Sequence, residues 1–187
     1  MSLLTTASQT VGPYLNIGFA ALARDTIAPA SVAGERFTIH GRLFDGDRKP
    51  VNDGAIEIWQ ANAKGGYTSS AHTQGAPGES GFRGFGRILT GADGEFLFST
   101  IKPGRVPGPG GVLQAPHLAV VIFMRGSLRH LLTRLYFPDE PANAEDPVLK
   151  LVPADRRATL IARAVAPAAL EWNIFMQGSD ETVFFDF

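Results

Sequence analysis

The chain of 187 residues balances 17 Lys and Arg against 18 Asp and Glu, with neither sign in a block, so no polyanion-binding surface is evident and nucleic acid is not an expected partner. Cysteine is absent, which excludes disulfides, zinc fingers and thiolate clusters, while a 44% hydrophobic content is enough for a full core. The start, MSLLTTASQTVGPY, lacks the basic and apolar regions of a signal peptide, and the longest apolar run, Leu118 to Met124, is too short to span a bilayer, so a single soluble cytoplasmic domain over 1–187 is expected, with no membrane partner.

RFTIHGRLF (36–44) alternates in polarity and ends in the turn DGDRKP. AIEIWQA (55–61) follows, and the two are expected to be neighbouring antiparallel strands. FGRILTGADGEFLFSTI (85–101) reads as a hairpin closed by Asp93-Gly94, a pair that accepts the positive φ angles of a tight turn. KPGRVPGPGG is too rich in Gly and Pro to be a strand. Further strands fit HLAVVIFM, HLLTRLYF, LEWNIFMQ and ETVFFDF. A helix is expected over Ala154–Val165, where Leu160, Ile161, Ala164 and Val165 fall at helical spacing. Many short strands with one or two short helices predict a mainly β protein, a two-sheet sandwich.

His117 opens the strand HLAVVIFM after Pro116, and the next residue on its face is Ala119. A strand reading H-x-H presents two imidazoles roughly 6–7 Å apart, close enough to share a metal ion; this one presents one imidazole and a methyl group. His117 is therefore either a hydrogen-bonded histidine at a strand end or one ligand of an incomplete set. Arg134, in HLLTRLYF, shares its face with Leu132 and Tyr136, and a partly shielded guanidinium there requires an anionic partner. Asp139 and Glu140, just past the strand, are one choice and a bound ligand is the other. The glycines of GFRGFGR (81–87) lack the Lys-Ser/Thr ending of a phosphate loop and no βαβ pattern surrounds them. In Thr10-Val11-Gly12-Pro13-Tyr14, Gly12 lets a backbone approach a neighbour closely and Pro13 stiffens what is otherwise an N-terminal tail.

The stretches WQANAKGGY (59–67), TIKPGRVP (100–107), PHLAVVIF (116–123) and TRLYF (133–137) occur in the order, and at roughly the spacing, of the intradiol ring-cleaving dioxygenases. With SQTVGPY near the start and ETVFFDF at the end, the resemblance covers nearly the whole chain. In that family a non-haem ferric ion is held by two tyrosines and two histidines. The resemblance sets Tyr67 at the first tyrosine position, Val106 at the second, His117 at the first histidine position and Ala119 at the second. Valine and alanine have no lone pairs, and one phenolate with one imidazole leaves most of the Fe(III) coordination sphere empty. Tyr14, Tyr136, His40, His72 and His130 lie elsewhere and do not repair the set. These positions are thus expected to be vestigial, with no metal and no catalytic residue in this chain.

The sequence resembles the family's iron-free alpha chains, which pair with iron-bearing beta chains. The resemblance implies a subunit of an oxidoreductase of aromatic catabolism, in the beta-ketoadipate pathway. The partner beta chain would hold the Fe(III), and the alpha–beta oligomer would cleave protocatechuate, a small aromatic acid, with O2 between its hydroxylated carbons. It also implies that Arg134 meets the substrate carboxylate at the edge of a shared cavity, and that Thr10, Gly12, Pro13 and Tyr14, from an N-terminal segment over about 1–35, line it. Two other classes compete: an independent ferric dioxygenase acting on a catechol, and a non-catalytic sandwich of the binding type. The lost ligands oppose the first and the length of the resemblance opposes the second. Phe184, Phe185 and Phe187 either bury against a partner or close the chain's own sandwich.

Overall fold

The computed structural model describes residues 4, 6–67 and 82–186. Its strands are β1 (Arg36–Phe44), β2 (Ala55–Trp59), β3 (Phe85–Leu89), β4 (Glu95–Ile101), β5 (His117–Phe123), β6 (Leu131–Tyr136), β7 (Arg163–Ala166), β8 (Ala169–Glu171) and β9 (Ile174–Phe175). One sheet runs β4-β1-β8-β7, with β9 pairing the end of β1; the other runs β3-β2-β5-β6. Each sheet buries one face against the other. Ile39, Leu43, Phe96 and Phe98 meet Ile56, Ile58, Ile88, Leu118, Val120, Ile122 and Leu135 in a shared core. At about 1.5–3 kcal/mol for each large side chain buried, this interleaving is the main source of stability. A smaller cluster of Tyr136, Leu149, Val152 and Leu160 lies beyond the end of β6. The expected mainly β sandwich is therefore the observed one, and α1 (Tyr14–Phe19) is the α-helix among the described residues.

Several expected pairings are corrected. Strand β1 does not pair with β2: it pairs antiparallel with β4, from Arg36↔Ile101 to Arg42↔Glu95, while β2 lies between β3 and β5. The turn after β1, closed by Asp45 accepting from the N–H groups of Asp47 and Lys49, sends the chain into the opposite sheet. Two strands with one apolar face each bury both faces when those faces oppose one another across the core. The Asp93-Gly94 turn does form, with Gly94 at φ 69°. It joins strands of different sheets, because the turn is wedged against β1: a Cβ on Gly94 would lie 2.6 Å from the Leu43 carbonyl oxygen.

The helix expected over Ala154–Val165 is replaced by a 3-10 turn at Arg157–Leu160 followed by β7. The Ala162 N–H donates to the Tyr136 carbonyl at 3.0 Å, and β7 then pairs with β8 through a turn with Ala168 at φ 57°. Leu160 and Ala162 are buried while Val165 is exposed, so tertiary pairing has overridden a helical spacing. LEWNIFMQ is broken between β8 and β9, where the Trp172 N–H donates to the His40 carbonyl and the Asn173 side chain accepts from the Arg42 N–H. ETVFFDF contributes one isolated bridge, Leu132↔Phe185, in place of a strand, and Phe184 packs against the chain's own core. Phe187, His72 and Gly81 lie outside the described residues. Among the described residues no helix is long and apolar enough to cross a membrane.

The tightest backbone approach is at Gly41 in β1, where a Cβ would lie 1.8 Å from the Trp172 carbonyl oxygen and 2.7 Å from Cζ of Phe96. Gly41→Ala is expected to cost about 3 kcal/mol through overpacking, lowering Tm by roughly 6–12 °C in calorimetry. An unchanged Tm would contradict this packing of the β8–β9 connection across β1.

Candidate functional site

Strand β5 turns Leu118, Val120 and Ile122 into the core, which forces His117 and Ala119 onto the outer face of their sheet. Register then fixes their neighbours: Ala119 stands between Trp59 of β2 and Arg134 of β6, and His117 stands opposite Tyr136. His117 is 5% exposed, and its Nδ1 lies 2.8 Å from the Ala115 carbonyl oxygen. A carbonyl only accepts, so Nδ1 carries the proton and Nε2 keeps the lone pair. Burial, reinforced by the Arg134 guanidinium, lowers the imidazole pKa to about 4, so the ring is neutral at pH 7.

Arg134 donates from Nη1 to the Gln114 side-chain oxygen at 2.6 Å and, more weakly, to the Tyr136 hydroxyl at 3.4 Å. The Tyr136 hydroxyl donates in turn to Oδ1 of Asp146 at 3.1 Å, and burial raises this phenol well above its ordinary range. Asp146 is fully buried and also accepts from the N–H groups of Ala115, Val148 and Leu149. A buried carboxylate with that many donors is satisfied in place, which anchors the network from below. Gln114 is buried as well, and its amide nitrogen donates to the Pro107 carbonyl at 3.1 Å.

The structure gathers five of the residues singled out from the sequence. His117, Ala119 and Arg134 share the outer face, and Val106 is buried beside it with its carbonyl accepting from the Gln114 N–H at 2.8 Å. Tyr67 stands half-exposed within electrostatic reach of Arg134; partial burial raises its phenol pKa and the guanidinium opposes that rise. Of the acids proposed to pair with Arg134, Glu140 is instead bound to Lys102 at 2.7 Å. The N-terminal residues form a second group. The Thr10 hydroxyl accepts from the Gly126 N–H at 2.8 Å, fastening the segment to the turn between β5 and β6. Gly12 holds φ 64°, a backbone conformation that favours glycine, and no atom of this chain's described residues lies within 4 Å of a notional Cβ there. Pro13 caps α1, and Tyr14 is exposed. Phe185 lies between the two groups: it lines a concavity of about 430 Å3 with Val11 and stands 6.0 Å from the Arg134 guanidinium carbon.

Gln114, Tyr136 and Asp146 complete the site without having been read as part of it. Gln114 precedes β5 and Asp146 follows β6, and both join through side-chain bonds to residues of β6, although the Asp-Pro step at 146–147, typical of a turn start, is a partial signal for Asp146. The donor set does not fit a ferric ion. Val106 and Ala119 are hydrocarbons, the Tyr136 phenol is committed to Asp146, and a guanidinium stands among the remaining groups, where its charge opposes a cation. Among the described residues, no group of three or more His, Cys, Asp or Glu is placed to hold a metal.

The chain has counterparts among known proteins. The family described as "Dioxygenase" matches residues 12–178, and the chain belongs to it, as an intradiol-type dioxygenase fold. The protocatechuate 3,4-dioxygenase alpha chain of Burkholderia cepacia is 43% identical over 99% of this chain and 98% of its own length. The beta chain of the same name from that organism is 32% identical over 86% of this chain and 72% of its own length. Among solved structures, the dioxygenase domain of a dioxygenase–carbohydrate-binding fusion from Streptomyces sp. SirexAA-E superposes with a TM-score of 0.62 at 27% identity, covering 86% of this chain and 89% of that one.

The buried His117 has a measurable consequence. Its folded pKa near 4 lies below the unfolded value of about 6.5, so between these values the unfolded chain binds the extra proton. Stability from this group is full above about pH 6.5 and is lost as pH falls toward 4, with about 2 kcal/mol gone at pH 5. Urea unfolding at pH 7 and pH 5 should show that loss, and His117→Gln should remove most of it. An equal loss in both proteins would place the titration elsewhere.

Proposed function

We propose that the chain is the iron-free alpha subunit of a protocatechuate 3,4-dioxygenase, one domain over 1–187, working in the cytoplasm as a repeated alpha–beta assembly. The observation that carries this reading is the make-up of the outer-face cluster: a fixed guanidinium beside the hydrocarbons Val106 and Ala119 can bind a carboxylate but cannot ligate iron. The full-length likeness to an alpha chain supports the same assignment.

The beta chain's Fe(III) would supply the activation of the bound catecholate toward O2. This chain's residues bind and orient. Arg134 takes the carboxylate of protocatechuate, while Thr10, Gly12, Pro13 and Tyr14 form a wall of the shared cavity, and the exposed Trp59 beside Phe85 offers aromatic surface for the partner. Cleavage between the hydroxylated carbons gives 3-carboxy-cis,cis-muconate, with both atoms of O2 incorporated.

In the alpha–beta complex, a charge-assisted bond to the carboxylate of about 1.5–3 kcal/mol means that Arg134→Ala should lower kcat/KM for protocatechuate by roughly 10- to 150-fold. Most of the loss should fall in KM, because the carboxylate is held equally in ground and transition states. Catechol, which has no carboxylate, should be turned over at a nearly unchanged rate, and Arg134→Lys should restore only part of the loss. Equal losses for protocatechuate and catechol in an intact assembly would make Arg134 structural and overturn the site assignment.

A further inference from the structure

We propose that Gln114 is the positioning residue for Arg134, fixing the plane of its guanidinium from the loop backbone; this rests on the alpha-subunit reading above. The amide has no freedom to flip. Its nitrogen donates to the Pro107 carbonyl, which can only accept, so its oxygen must face Arg134, which can only donate. The rest of the residue is held equally firmly: its N–H donates to the Val106 carbonyl at 2.8 Å, and its carbonyl accepts from Nε of Arg105 at 3.3 Å. A Cβ added to Gly108 would lie 2.7 Å from Cγ of Gln114, so the loop backbone packs closely against one side of this side chain.

The clamp therefore ties the loop after β4 to the middle of β6. One end of the amide reads the loop backbone and the other fixes one Nη of Arg134, which sets the plane in which the guanidinium fork lies. Chemistry distinguishes this residue from its near-isostere. A glutamate at this position would bond the same Nη but bring a full negative charge, forming an internal ion pair that competes with any substrate carboxylate, and it would lose the donor for Pro107.

The test uses the alpha–beta complex with protocatechuate and catechol as paired substrates. Gln114→Leu removes the hold and should raise KM for protocatechuate about 10-fold with kcat changed less than about 2-fold. Gln114→Glu, which keeps size and shape and so remains informative where the leucine variant fails to assemble, should raise that KM at least as far. Catechol turnover should move less than about 2-fold in both. Gln114→Asn, too short to reach both partners, should behave like leucine. Three results would overturn the inference. Equal losses on both substrates would reduce Gln114 to a loop support. An unchanged KM for protocatechuate in the Gln114→Glu variant would show that the amide does not govern the cation. If Arg134→Ala lowers protocatechuate turnover while no Gln114 variant does, this inference fails and the subunit reading stands; if Arg134→Ala is itself without effect, the subunit reading fails first.

Discussion

Strand β5 can turn only one of its two faces into the hydrocarbon core between the sheets, and the rest of the site depends on that constraint. With Leu118, Val120 and Ile122 in the core, His117 and Ala119 must face outward, and pairing with β6 then sets Tyr136 and Arg134 beside them. A one-residue slip would send Arg134 into the hydrocarbon core, at a cost of several kcal/mol for an unpaired charge. The core thus enforces the register, and the register assembles the site.

On that frame sits a polar network running from the buried Asp146 through Tyr136 and Arg134 to Gln114 and the Pro107 carbonyl. It links the segment after β6, the middle of β6 and the loop after β4, three stretches far apart in sequence. Networks of this kind in low-dielectric surroundings are strong when every member is satisfied, and the four donors to Asp146 meet that condition. Burial is the main reason that His117 is neutral, and the Arg134 cation of this network adds to it. A ferric centre needs anionic oxygen donors and lone pairs, which the Val106 and Ala119 side chains lack.

Strands β1 to β6 were legible from alternation or short apolar runs, because each strand's polarity reports a local property, its two faces, whereas β7 fell where a helix was expected and ETVFFDF formed only a bridge. Partners were not legible. The placing of β1 and β2 in opposite sheets follows from how apolar faces oppose one another across the core, and neither sequence window contains that information. The helix read over Ala154–Val165 failed for a similar reason: Leu160, Ile161, Ala164 and Val165 keep helical spacing, yet bonds to Tyr136 and to β8 decide the conformation. Of the site, His117, Ala119, Tyr67, Val106 and Arg134 were legible because motifs carry them. Gln114 and Asp146 were not, since a buried amide and a buried carboxylate acquire their roles only from partners brought in by the fold.

We propose a division of labour in which this chain supplies binding and its partner supplies the metal. Iron determination on the chain expressed alone and on the co-expressed alpha–beta complex, with oxygen uptake on protocatechuate measured for both, tests it most directly. The account predicts a colourless chain with no stoichiometric iron and no uptake, and a complex with one iron per alpha–beta pair and full uptake. Tight Fe(III) and turnover of protocatechuate by this chain alone would contradict it.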